Sequence, residues 1–294
     1  MNNKYNILLI VAGLIILVLG FAYYTERQKS VELAQKVQKQ ENIVAPYYDK
    51  KELQFSDDLK NRNKGDNTIK IPIIMYHYVE YVKDDKDLIR KRLDIVPSLF
   101  EGHLQALREA HYDTYFVKDV PDILEGLIHY STQSAILTFD DGYEDFYTDV
   151  FPLLKKYHMR ATLYVIYDYI GRKGFLNEQQ IQELIESNLV EIGSHTLDHV
   201  YLKRAPNEYA EKQISESKIK FEERFGIKVK TFAYPYGAFN NDNIAAVEKA
   251  GYTAAVSVIS GELQSKNNLF YLSRVRPDLF TPTSMIRVIE QMSK

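Results

Sequence analysis

Apolar residues follow two alternating patterns from position 69 to the end of the chain. Short, nearly continuous apolar runs, typical of buried strands, occupy 69–77, 136–139, 161–166, 190–193, 230–233 and 254–258. Apolar residues at helical spacing predict helices that begin near 97 and 177, cover 146–157, 207–225 and 281–292, and end before 251. Because strand and helix alternate, we predict an α/β fold of parallel strands wrapped by helices, either closed into a barrel or left open as a doubly wound sheet.

The stretch 7–24 contains 18 residues without a charge and is preceded by Lys4. As a helix it would be roughly 27 Å long, close to the thickness of the hydrocarbon core of a bilayer. We therefore predict a single transmembrane anchor over residues 1–24, with a secretory signal peptide as the alternative. Arg27 and Lys29 outnumber Lys4, so the flanking charges fix the orientation only weakly and mildly oppose an external C-terminal domain.

Residues 25–68 are rich in Lys, Gln, Glu, Asp and Asn, which predicts a polar stalk between the anchor and a catalytic domain at 69–294. The expected location is the cell membrane, with the catalytic domain outside the cytoplasm, or secretion if the N-terminal segment is cleaved. The absence of cysteine and the chemistry described below support export.

Composition narrows the classes of function. A formal net charge of -3 argues against nucleic acid as a partner, because such a partner calls for an excess of Lys and Arg. With no cysteine, the chain cannot use disulfides, thiolate metal ligands, a cysteine nucleophile or a lipid-modified cysteine. Nothing in the composition identifies a protein partner.

Asp140 and Asp141 directly follow one of the predicted strands, and Gly142 comes next. Two adjacent carboxylates repel each other, so the pair requires either a cation or two different roles. A solvated turn that closes the strand is the alternative, since Asp and Gly are common turn residues.

His195 and His199 follow another predicted strand and lie four residues apart. One turn of helix or a tight loop would place both imidazoles within reach of one ion. With a carboxylate from the neighbouring strand end they would form a site of two histidines and one carboxylate, which leaves positions open for water and substrate. The metal would lower the pKa of its water and polarise a carbonyl, and the second carboxylate would accept a proton.

These motifs resemble those of polysaccharide deacetylases of the NodB-homology carbohydrate esterase family 4. Thr-Phe-Asp-Asp-Gly at 138–142 and Ser-His-Thr-Leu-Asp-His at 194–199 are similar to its first two motifs, and Ala-Tyr-Pro-Tyr-Gly at 233–237 is similar to its third. The resemblance covers about 69–294 and implies a distorted parallel β/α barrel with fewer than eight full repeats. It also implies Asp140 as the general base and a divalent metal ion held by Asp141, His195 and His199. Zinc is the default ion, and cobalt, nickel or manganese is allowed by the same ligands.

The chain departs from the family pattern at two points. Ala233 stands where the third motif usually has an arginine, and no histidine follows His199 to supply the C-terminal acid. His77 is the candidate acid, because Met-Tyr-His-Tyr-Val at 75–79 resembles the start of the poly-N-acetylglucosamine deacetylase branch, and a hydrogen-bonded core histidine is the alternative. Arg274 is the candidate for the missing arginine, with a surface ion pair as the alternative.

Tyr236 is a further candidate. Its backbone N–H could stabilise an oxyanion together with the metal, and its ring could pack on a sugar; a structural turn is the alternative. We therefore expect a metal-dependent hydrolase that removes N-acetyl groups from a cell-surface polysaccharide such as poly-N-acetylglucosamine, peptidoglycan or a chitin-like glycan. A glycan O-acetyl esterase and a non-catalytic glycan-binding protein on the same fold are the alternatives.

Overall fold

The computed structural model of the chain describes residues 68–84, 86–277 and 281–291. The anchor predicted over 1–24 and all but the last residue of the stalk predicted over 25–68 lie outside these residues. Within the described residues, no helix has both the length and the apolar character needed to span a membrane.

Strands and helices alternate as predicted. The strands are β1 (Thr68–Lys70), β2 (Ile73–Tyr76), β3 (Asp113–Tyr115), β4 (Ser134–Phe139), β5 (Ala161–Val165), β6 (Val190–Ser194), β7 (Thr231–Ala233), β8 (Ala254–Ser260), β9 (Leu263–Ser265) and β10 (Leu272–Arg274). The α-helices are α1 (Leu88–Leu93), α2 (Pro97–Glu109), α3 (Val120–Leu124), α4 (Phe151–Tyr157), α5 (Glu178–Glu186), α6 (Asn207–Phe225), α7 (Asn241–Lys249) and α8 (Pro282–Gln291).

Eight strands of the described chain form one parallel sheet. Seven of them follow one another in the order β2, β4, β5, β6, β7, β8, β10, and β3 pairs with β4 outside this order. Val275, just after β10, closes this sheet onto β2. Its N–H donates to Ile73 O at 2.8 Å, and its carbonyl accepts from Met75 N at 2.9 Å. The architecture is therefore a nearly closed parallel β/α barrel with seven strands in its ring and β3 paired alongside β4, and the open-sheet alternative is wrong.

The single strand predicted over 69–77 is two strands in the structure. Pro72 separates them, because proline has no N–H to donate to a ladder. Before Pro72, β1 pairs antiparallel with β9, whereas β2 after it pairs parallel with β4. The helix predicted over 146–157 is also divided, into a π-helical turn at Phe146–Val150 and α4.

Side chains that point into the barrel form a small core beneath its carboxyl-terminal end. Tyr164 on β5 is fully buried there, among residues that include Ile73, Ala233 and Leu272. Gly193 on β6 leaves room for its ring, since a Cβ at that position would lie 2.5 Å from Tyr164 Cδ1. The filled interior is not a pore, and β/α barrels place their active sites at the end where the strands terminate.

Candidate active site

Asp140 and Arg274 form a buried ion pair at the carboxyl-terminal end of the barrel. Arg274 Nη1 and Nη2 each donate to one carboxylate oxygen of Asp140 at 2.8 Å. Arg274 also donates from Nε to Ser257 O at 2.7 Å and from Nη1 to Thr138 Oγ1 at 3.3 Å. The Arg274 side chain has no exposed surface, so these partners fix both its position and the plane of the Asp140 carboxylate.

The charge of Arg274 determines the protonation state of Asp140. Burial would raise the pKa of this carboxyl, but the positive charge of Arg274 and its hydrogen bonds outweigh burial and hold the pKa below its ordinary value. Asp140 is therefore anionic at neutral pH, as a general base must be before it accepts a proton.

Asp141, His195 and His199 come together next to this ion pair. Their potential ligand atoms all lie within 4.8 Å of one another, and Asp141 Oδ1 is 3.3 Å from Nε2 of each histidine. His195 Nδ1 is 2.8 Å from the carbonyl of Ala233. Because a carbonyl can only accept, Nδ1 carries the proton and Nε2 presents a lone pair to the cluster.

The cluster fits a divalent cation. Asp141 Oδ1 is buried and has no hydrogen-bond donor among the described residues, although two imidazole nitrogens face it. A cation shared by one carboxylate and two imidazoles would satisfy this oxygen, and this donor set is typical of catalytic metal sites with open positions.

The backbone around these ligands is unusual. Asp141, Thr196 and His199 have φ angles of 78°, 67° and 65°, a region that residues other than glycine rarely occupy. His199 N donates to Thr196 Oγ1 at 3.0 Å, so a tight loop rather than a helical turn brings the two histidines together. Such strain is often found at functional sites.

His77 follows β2 and lies next to Asp140. Its Nε2 is 3.9 Å from Asp140 Oδ2, and 16% of its side chain is exposed. Burial lowers the pKa of His77 to about 4, although the charges of Asp140 and Asp141 act in the opposite direction. His77 is thus a neutral imidazole at neutral pH, close enough to exchange a proton with Asp140 after a small movement.

Tyr236 lies at the open edge of the site. Its backbone has a φ of 59°, and 44% of the residue is exposed. The ring centroid is 4.4 Å from that of His199 and 5.8 Å from that of Tyr201. The structure therefore brings the aromatic ring to the rim of the metal-ligand cluster.

Comparison with known proteins identifies the family. Residues 129–255 match the family described as polysaccharide deacetylase. Over 220 residues the chain is 32% identical to YxkH of Bacillus subtilis strain 168, provisionally named a polysaccharide deacetylase, and the match covers 75% of this chain and 76% of YxkH. The chain belongs to the polysaccharide deacetylase family.

Two further relatives support this assignment. The poly-beta-1,6-N-acetyl-D-glucosamine N-deacetylase of Staphylococcus aureus is 25% identical over 218 residues, which cover 68% of this chain and 72% of that protein. The structure of Streptococcus pyogenes deacetylase PplD in complex with acetate superposes with a TM-score of 0.70 at 27% identity, over 75% of this chain and 98% of that one. The family resemblance noted in the sequence is confirmed. Deacetylases of this family are generally metal-dependent.

Two tyrosines that the sequence analysis missed also contact the site of this deacetylase. The rings of Tyr78 and Tyr143 stack at a centroid distance of 3.8 Å. Burial raises the pKa of Tyr143, as do the charge of Asp141 and a hydrogen bond to it, so the hydroxyl stays protonated and can donate to that carboxylate. Tyr143 directly follows the Asp-Asp-Gly motif, and its position at a strand end was the available signal.

Asp145 was also missed. Its side chain is buried, and one carboxylate oxygen accepts a hydrogen bond from Val79 N, two residues beyond His77. Burial raises the pKa of Asp145 to about 7. Asp145 thus holds the segment that carries His77 and Tyr78, and the sequence around it contains no pattern that indicates this contact.

Proposed function

We propose that this polysaccharide deacetylase is a metal-dependent N-deacetylase that acts on an N-acetylglucosamine polymer of the cell surface. The observation that carries the proposal is the forked ion pair of Arg274 with Asp140 beside the cluster of Asp141, His195 and His199. The name of the S. aureus relative supports an acetamide as the bond that is cleaved, and the acetate in the S. pyogenes structure is consistent with an acetyl product.

Asp141, His195 and His199 would hold the cation, with zinc as the default and cobalt, nickel or manganese as alternatives. When bound, such an ion supplies Lewis acidity, which polarises the acetyl carbonyl and acidifies water. The carbonyl of Ala233 keeps His195 in the tautomer that binds through Nε2.

The side chains of the site would share the transfer of protons. Asp140, held anionic and oriented by Arg274, accepts a proton from the attacking water at a carboxylate oxygen. His77 is neutral in the resting protein, so it can take up at Nε2 the proton that Asp140 has accepted and deliver it to the nitrogen of the departing amine, which returns Asp140 to its ionised form. The backbone N–H of Tyr236 would stabilise the oxyanion, and its ring would pack on the sugar.

Replacement of the base tests this function. Metal-loaded Asp140→Asn should release less than about one part in a hundred of the acetate released by the unmodified protein from N-acetylglucosamine oligomers. It should retain the metal, whereas His195→Ala should lose both metal and activity. Asp113→Asn, the same change at an exposed position of β3, is the matched control. Wild-type turnover by Asp140→Asn would rule out this mechanism.

The same assay distinguishes the alternative functions. An alkoxide leaving group needs less help from an acid than an amine does, so His77→Ala should lose far more activity on acetamides than on acetyl esters. If ester cleavage dominates in the unmodified protein, the O-acetyl esterase is favoured. If metal-dependent acetate release is absent with chitin oligomers, poly-N-acetylglucosamine, peptidoglycan and acetyl esters, a non-catalytic glycan-binding protein is favoured.

The location at the cell surface is part of the proposal. It rests on the uncharged stretch 7–24 and on the extracellular nature of the expected glycans. A protease added to intact cells should remove the catalytic domain, whereas complete protection of the domain would contradict an external location.

A further inference from the structure

A cleft beside His77 separates the end of β2 from α1 and from the segment that follows β10. Its volume is about 30 Å³. We call it the arginine cleft, and it is lined by Met75, Tyr76, His77, Arg92, Leu93, Asp94, Ile95, Arg276 and Pro277. This volume suits a group of a few atoms and is too small for a sugar ring. Its contact with His77 connects it to the proposed reaction centre.

Positive charge is concentrated in this cleft, although the net charge of the chain is -3. Arg92 is exposed in the last turn of α1, together with Arg90 and Lys91. Arg276 is half-buried two residues after Arg274, and its charge lowers the pKa of His77 more than that of Arg274 does. Arg276 and His77 line the same cleft.

Asp94 is the acidic side chain of the lining. Its Oδ1 accepts a hydrogen bond from Glu80 N at 3.0 Å, and burial raises its pKa to about 6. Glu80 itself pairs with Arg90. Among the side chains that line the cleft, two guanidinium groups therefore stand against one carboxylate.

We propose that the arginine cleft binds an anionic substituent of the glycan, a phosphodiester or a carboxylate, next to the sugar that loses its acetyl group. A guanidinium presents up to five donors in a fixed fork that matches both oxyanions, so it can bind one even while it keeps an internal partner. The proposal rests on the proposed deacetylase function and narrows its substrate class from N-acetylated glycans to anionic ones.

Three N-acetylglucosamine oligosaccharides of equal length test the proposal: one neutral, one with a phosphodiester and one with a carboxylate on the neighbouring unit. For the metal-loaded full chain, kcat/KM for acetate release should be about tenfold or more higher on at least one anionic glycan than on the neutral one. The preference should shrink at high ionic strength, because salt screens a partly exposed charge pair. Which anionic glycan is preferred identifies the oxyanion.

Arg276→Gln and Arg92→Gln should each lower the ratio of anionic to neutral kcat/KM by about fivefold to tenfold. The ratio cancels any change in His77 that affects both substrates. Arg160→Gln is the matched control, because Arg160 stacks over Phe116 just before β5, at the opposite end of the barrel. A wild-type ratio near one, or the same loss of ratio in Arg160→Gln, would overturn the proposal.

Measurements of glycan binding distinguish the proposal for the arginine cleft from the proposed deacetylase function. Calorimetry with Asp140→Asn should show tighter binding of the anionic than of the neutral glycan, and Arg276→Gln in the same background should remove the difference. Discrimination in binding without turnover by the unmodified protein would overturn the deacetylase function and support the cleft. Turnover without a preference for the anionic glycan in either assay would support the deacetylase function and overturn the proposal for the cleft.

Discussion

The side chain of Arg274 illustrates how one contact controls the chemistry of the site. A buried guanidinium is tolerated because Asp140, Thr138 and Ser257 all bind it. In return, its charge opposes the effect of burial on the pKa of Asp140. We infer that Arg274 orients the base and keeps it ionised, which are the two properties that a base needs before substrate arrives.

Arg274→Lys should therefore reduce activity without removing the positive charge. An ammonium cannot donate two parallel hydrogen bonds to the carboxylate. It therefore offsets the effect of burial less well, and the pKa of Asp140 rises. We expect kcat/KM to fall by about tenfold to a hundredfold, and the acid limb of its pH profile to move to higher pH. Arg204→Lys, at an exposed position, should change neither. An unmoved acid limb in Arg274→Lys would contradict this role.

Asp145 predicts a pH-dependent stability. Its pKa is raised from 3.8 to about 7 in the folded protein. Its contribution to the free energy of unfolding is therefore fully present below about pH 4 and is lost as the pH rises to about 7. Asp145→Asn should keep an acceptor for Val79 N–H and avoid that loss. Relative to the unmodified protein, its free energy of unfolding should rise between pH 5 and pH 8 by about 2 kcal/mol. Urea unfolding at both pH values measures this, and an equal effect at the two would contradict it.

At the scale of elements, the sequence predicted the helices and strands that have a clear local pattern, such as a capping box or a regular spacing of apolar residues. The bounds of α6 agree with the prediction, and the capping box of Asn177 and Gln180 begins α5. The strands β3, β9 and β10 are three residues each and show no periodicity, so they were not predicted. Arg274 was considered only because Ala233 stands where the family pattern has an arginine. Its contact with Asp140 depends on a tertiary arrangement that no local pattern contains.

Gly193 in β6 shows what packing between elements requires. An added Cβ would lie 2.5 Å from Tyr164 Cδ1 and 2.9 Å from Thr231 Oγ1, so the ring that fills the barrel would have to move. Gly193→Ala should lower the free energy of unfolding by about 1–3 kcal/mol. Because a smaller side chain at position 164 relieves the clash, adding Tyr164→Leu should cost less in Gly193→Ala than in the unmodified chain. Additive effects in this double-mutant cycle would contradict the packing argument.

At the scale of the molecule, closure of the barrel explains how departures from the family motifs are accommodated. His77 follows β2 and Arg274 ends β10, so they lie near opposite ends of the described chain. The Val275 hydrogen bonds make these two strands neighbours, and both side chains therefore reach Asp140. Sequence alone predicted the strand ends and the metal-ligand candidates. The partners of Asp140 required knowledge of which strands meet.

The whole domain should also respond to the metal, because a ligand that binds only the folded state stabilises it. Zinc at about one hundred times its dissociation constant should add about 2.7 kcal/mol to the free energy of unfolding, and a thermal unfolding scan would register this as a higher Tm. His199→Ala should remove most of the zinc-dependent shift, since Asp141 Oδ1 then keeps one imidazole neighbour instead of two. His129→Ala, at an exposed position, controls for zinc binding to surface histidines. If both variants respond to zinc like the unmodified protein, the ion binds elsewhere, and the chemistry proposed for Asp140 would lose the cation beside it.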